Sequence, residues 1–115
     1  NYKKLLNNQT YEIGVHQIRT QSNDEKLGHP APEGFHQDGF DFVSIHCLKL
    51  HNIVGGVTLL RKSSKEGPCI FEGKILPNTC MIYNDRNFFH YTTPVISKEA
   101  ELGFRDVIVT TFLRI

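Results

Sequence analysis

No sign of charge dominates this chain, no apolar run approaches a membrane span, and no segment carries convincing helical periodicity. Each absence removes a class of function. The formal net charge is +1 over 115 residues, so no bulk field favours nucleic acid or an anionic membrane. Hydrophobic residues make up 39% of the chain, but none of their runs nears the roughly 20 residues of a spanning helix. A secretory signal pattern is also lacking. Cys47, Cys69 and Cys80 are odd in number and share no C-x-x-C spacing. Neither a disulfide framework nor a zinc knuckle is indicated, and reduced thiols in a cytoplasmic protein are expected. Internal repeats, linkers and low-complexity stretches are absent. A chain of 115 residues makes one domain, 1–115, with one modest core. It opens at Asn1-Tyr2-Lys3-Lys4 without a methionine, which reads as the trimmed end of something longer.

What is present is a succession of short β-forming segments. Residues 1–9 are polar and suggest weak helix or coil. Residues 10–20 alternate as a strand does, with Tyr11, Ile13 and Val15 on one face. Residues 40–50 form a long strand rich in β-formers. His51-Asn52 begins a turn, and Gly55-Gly56 allows either a close backbone approach or a tight turn, the turn being favoured. Further strands are expected over 57–61, 69–75, 80–84, 90–93 and 105–115. The last is apolar on both faces, which suits a strand inside a sandwich. About eight short strands at such spacing predict an all-β sandwich or barrel. A double-sheet jelly roll of the cupin-like kind is the natural architecture.

The chain is organised around Pro32-Glu33-Gly34-Phe35-His36-Gln37-Asp38-Gly39. Proline fixes φ and glycine weakens a helix, so this segment is extended. Residues i and i+2 then share a face, which sets the His36 imidazole beside the Asp38 carboxylate. These are two members of a 2-His-1-carboxylate site for non-haem Fe(II). The plain alternative is a His-x-Asp in a surface turn. A third ligand must be histidine, and His90 is the best candidate, opening a strand after the polar turn 84–87. His46 has Ile45 and Cys47 as neighbours and suits a structural or lining role; His29 and His51 sit in turns, and His16 has no clear part. Arg105 begins the last strand and shares a face with Val107, Val109 and Thr111. A charge there is costly unless paired. Its partner is either an anionic ligand or a carboxylate such as Asp106 or Glu101.

Four ordered blocks carry a resemblance over nearly the whole chain, from about His16. They are Pro32 to Val43, Asn52 with Gly55-Gly56, Asn84-Asp85-Arg86 with His90, and Gly103 to Val107. Together they resemble the bacterial iron- and 2-oxoglutarate-dependent dioxygenases that include the L-isoleucine 4-hydroxylases. The resemblance implies a double-stranded β-helix, with helical segments before it in family members. It implies Fe(II) on His36, Asp38 and His90, and Arg105 on the distal carboxylate of 2-oxoglutarate. It further implies O₂ as oxidant and hydroxylation of a small substrate, such as a free amino acid. Asp85 is a candidate to orient a ligand histidine, although capping its own turn is the favoured role. Two readings from other classes stand beside the enzyme. One is a non-catalytic cupin-like domain that binds a metal or ligand. The other is a β-sandwich interaction module with structural histidines.

Overall fold

The computed structural model describes residues 8–115, so most of the helix or coil expected over 1–9 lies outside the described residues. Nine strands follow in chain order: β1 (Tyr11–Ser22), β2 (Phe42–His51), β3 (Ile53–Gly55), β4 (Thr58–Lys62), β5 (Cys69–Gly73), β6 (Cys80–Asn84), β7 (Phe88–Thr92), β8 (Val95–Ser97) and β9 (Gly103–Arg114). Among the described residues there is no helix. The strands form a four-stranded sheet in the order β1-β9-β2-β6, a three-stranded sheet β5-β4-β7 and a small β3-β8 pair. All these pairings are antiparallel. This is the expected all-β jelly roll, a double-stranded β-helix.

The strand β9 lies between β1 and β2, as its two apolar faces require. Alternation along β2 sends Val43, Ile45 and Cys47 inward. There they meet Leu60 of β4, Tyr83 of β6 and Val107 of β9 in one buried cluster. Packing of the large sheet against β4 therefore makes the core, in the manner of a sandwich. A register shift between Cys47 and Lys49 interrupts the β2-β9 ladder.

Two short strands add to the expected ones: β3, where a turn is read, and β8, over residues given no element. The first, β3, pairs with β8 through Ile53, Val54 and Gly55. Gly55 has a φ of +77°, and a Cβ there would run into the carbonyl oxygen of Pro94. The close approach of two backbones, rather than a simple turn, is what needs glycine at this position. Face sharing by Tyr11, Ile13 and Val15 puts them on the outer side of the large sheet. Their opposite-parity neighbours Ile18 and Thr20 line the interior cavity. Tyr11 meets Phe42 and Phe112 edge to face, while Ile13 and Val15 are exposed.

Candidate metal centre

The segment before Gly39 is extended, as its prolines and glycines dictate, and it docks on β7. His36 and His90 form a two-residue antiparallel bridge. The amide of each donates to the carbonyl of the other at 3.0 Å. This bridge places the imidazoles side by side, with ring centroids 4.1 Å apart. Asp38, two residues beyond His36, reaches both rings. Its Oδ1 lies 3.3 Å from His36 Nε2, and its Oδ2 lies 3.3 Å from His90 Nε2. His90, with His36 adding to it, holds the Asp38 carboxyl below the ordinary aspartate range against the opposing effect of burial.

One ligand atom from each of these three residues lies within 4.8 Å of the other two. Ligands at right angles on bonds of about 2.1 Å lie about 3 Å apart, so the 3.3 Å spacings suit one divalent metal. Imidazole and carboxylate together suit iron. The ring of His36 is already oriented for this. Its Nδ1 lies 2.7 Å from the carbonyl of Gly34. A carbonyl only accepts, so Nδ1 carries the proton and Nε2 faces Asp38. Gly34 has a φ of +80°, which turns that carbonyl back toward the ring. Glu33 adds a carboxylate oxygen 3.0 Å from His36 Nε2, a contact absent from the sequence reading.

Arg105 lines the same cavity, which measures about 240 Å³. The residue is 5% exposed and makes no ion pair with any described residue. Burial pushes its guanidinium below the ordinary range, with Cys47 opposing. Asp106, one of the two partners considered for it, points the other way. It takes Arg19 in a two-bond fork at 2.7 and 2.9 Å. The apolar lining around Arg105 includes Ile18, Val107 and Val109. A buried, unpaired guanidinium facing an apolar cavity fits an incoming carboxylate.

The remaining histidines stay apart from this cluster. His46 is exposed on the outer face rather than lining the cavity, and His16 and His29 are exposed too. His51 stacks on Phe104 with centroids 5.1 Å apart. Two further buried groups lie near the site, Tyr83 and Asp85. Tyr83 lines the cavity with a buried hydroxyl that has no hydrogen-bond partner among the described residues. Burial, then the nearby Asp38 and Asp85, push its phenol far upward, so it stays a donor. Asp85 is 1% exposed and does not cap its own turn. Asn84 does that, its Oδ1 accepting from the Arg86 amide at 2.9 Å. Inward parity two residues after Tyr83 was the available signal for Asp85.

Comparison with known proteins bears on this geometry. A family model described as 2OG-Fe dioxygenase matches residues 2–111. The chain is similar to the L-isoleucine-4-hydroxylase of Bacillus thuringiensis, with 29% identity over 101 residues, covering 87% of this chain and 41% of that protein. It also resembles the crystal structure of IDO from Bacillus thuringiensis, with a TM-score of 0.78 and 26% identity, over 89% of this chain and 48% of that one. A bsmA homologue from Methylobium petroleophilum PM1 gives a TM-score of 0.79 and 28% identity, over 90% of this chain and 41% of that one. The chain thus spans less than half the length of these relatives.

Proposed function

The chain belongs to the 2OG-Fe dioxygenase family, and from that premise we propose that His36, Asp38 and His90 hold its Fe(II) and that Arg105 binds the distal carboxylate of its 2-oxoglutarate. The family's reaction uses Fe(II), 2-oxoglutarate and O₂. Together they supply the oxidising power to hydroxylate an unactivated C–H bond, with 2-oxoglutarate leaving as succinate and CO₂. Residues 1–115 act as the core domain of such a hydroxylase, and its substrate is a small molecule of the free amino-acid class. The similarity to an L-isoleucine-4-hydroxylase supports that class. Three free thiols suit a cytoplasmic setting.

The single observation that carries the reading is one carboxylate reaching two imidazole Nε2 atoms at 3.3 Å each, in a cavity shared with a buried, unpaired arginine. The protein's part is to hold geometry. His36, Asp38 and His90 would hold the metal, beside the cavity that Arg105 also lines. Arg105 supplies a planar fork that sets the co-substrate's direction, and this converts a multi-body encounter into a local one. The apolar walls keep water away from the reacting centre.

Arg105→Ala tests the assignment. It is expected to weaken 2-oxoglutarate binding by about tenfold or more while Fe(II) affinity stays as in the parent. Unchanged co-substrate affinity would remove Arg105 from this role. Screening free amino acids with L-isoleucine first, by succinate release and product mass, tests the substrate class. Turnover of none of them, with co-substrate bound, would remove the amino-acid assignment.

A further inference from the structure

Asp85 is the most completely buried carboxylate near the site, and its two oxygens do different work. Oδ2 accepts from three consecutive backbone amides, those of Asp38 at 3.0 Å, Gly39 at 2.8 Å and Phe40 at 2.9 Å. It is thereby saturated. Oδ1 has only a longer contact to the Asp38 amide, at 3.3 Å. That oxygen faces His90 Nδ1 at 3.8 Å. Nδ1 is buried and has no hydrogen-bond partner among the described residues. An under-used acceptor and an orphan ring nitrogen thus confront each other inside the protein.

We propose that Asp85 is a positioning residue that keeps the proton of His90 on Nδ1, so that the Nε2 lone pair points at the metal position beside Asp38. The proposal rests on the metal reading above and adds to it a residue that touches neither metal nor substrate. A metal on Nε2 leaves the ring's one proton on Nδ1, where Asp85 Oδ1 is the neighbouring acceptor. On the other side of the ring, Nε2 is the atom beside Asp38 Oδ2. For His36 the corresponding partner is the carbonyl of Gly34, so each ligand histidine has its own acceptor behind it. Asp85 differs in also gripping the backbone of Asp38. One side chain therefore ties together two ligands that lie on different segments, the His-x-Asp segment and β7. Partners of this kind are ordinarily worth 10–100-fold in metal affinity.

Asp85→Asn separates this role from a merely structural one. Its side-chain oxygen can still accept the three amides, so the segment 38–40 stays capped. Its amide nitrogen would then confront His90 Nδ1, whose proton is left without an acceptor. Two measurements follow. Long-range ¹H–¹⁵N spectra of the parent loaded with diamagnetic Zn(II) read the Nδ1 proton and its exchange directly, with the His90 signals assigned by their loss in His90→Gln. Anaerobic titration with Fe(II) gives the metal affinity of the parent and of Asp85→Asn.

The expected result is a His90 Nδ1–H that exchanges slowly in the Zn(II)-loaded parent and fast in Asp85→Asn, with at least about a tenfold weaker metal affinity in the variant. A His90 Nδ1 proton that exchanges as fast in the Zn(II)-loaded parent as in Asp85→Asn would overturn the proposal. Equal metal affinity in a folded Asp85→Asn would overturn it while leaving the three-ligand site standing. A parent that binds no metal would overturn both. A lower melting temperature alone, with proton exchange and affinity unchanged, would reduce Asp85 to a loop cap.

Discussion

Gly34 shows how much of the site rests on single backbone angles. Its φ is +80°, and a Cβ added there would meet nothing within 4 Å. The cost of a side chain is therefore conformational rather than steric. Gly34→Ala is expected to destabilise the protein by roughly 1–2 kcal/mol, measured by denaturant unfolding. The same change disturbs the carbonyl behind His36, so metal affinity should fall as well. Tyr83 gives the opposite expectation. Its hydroxyl is buried without a partner among the described residues, and such a group costs about 1–3 kcal/mol. Tyr83→Phe should leave the metal-free protein equally stable or more stable in thermal unfolding; a clear loss of stability would mean that the hydroxyl has a partner. At this scale the sequence was informative where chemistry imposes spacing. His36 and Asp38 are readable because period two brings them together, and Arg105 because a charge stands on an apolar strand. Asp85, Glu33 and the carbonyl of Gly34 were not readable in the same way. Their roles depend on which direction a turn residue points, and one sequence does not fix that.

Strands with long alternation were legible for a physical reason. The inward row Val43, Ile45 and Cys47 of β2 is written in hydrophobicity, and it is the row that packs. The pair β3-β8 was hidden because three-residue strands carry no usable period. Their pairing is made instead by tertiary contact, including the Gly56 amide bonding to the Pro94 carbonyl at 3.1 Å. Gly55 is the element's weak point. Gly55→Ala would force a methyl group into the carbonyl oxygen of Pro94 and should cost of the order of 2–3 kcal/mol, read as a lowered denaturation midpoint. Arg105 also depends on this region, since a Cβ on Gly56 would lie 3.5 Å from its Cδ. Loosening β3-β8 is therefore expected to weaken 2-oxoglutarate binding along with stability. The turn after β6 carries the opposite lesson. Asn84 closes it, which frees Asp85 to point inward.

For the whole molecule, the fold solves a problem of assembly. His36 with Asp38, His90 and Arg105 come from three separate parts of the chain. The His36–His90 backbone bridge joins the first two parts. The large sheet, with β9 between β1 and β2, brings the third to the same cavity. The fold class was legible because turn signals and short strands recur along the chain. His90 and Arg105 could be picked as candidates from the residues, and the ordered resemblance joined them to the His36–Asp38 pair, because antiparallel pairing of remote strands leaves no local mark. Removing any one ligand should dissolve the metal site without dissolving the fold, since the core cluster lies around Val43, Ile45 and Val107. His36→Ala and Asp38→Ala are each expected to lose stoichiometric iron while keeping a cooperative unfolding transition. The most direct measurement is anaerobic titration of the Fe(II)-loaded protein with 2-oxoglutarate, followed by visible absorption. The account predicts a metal-to-ligand charge-transfer band that saturates with 2-oxoglutarate, disappears in Asp38→Ala and needs higher co-substrate in Arg105→Ala. Stoichiometric iron with no band at saturating 2-oxoglutarate would contradict it.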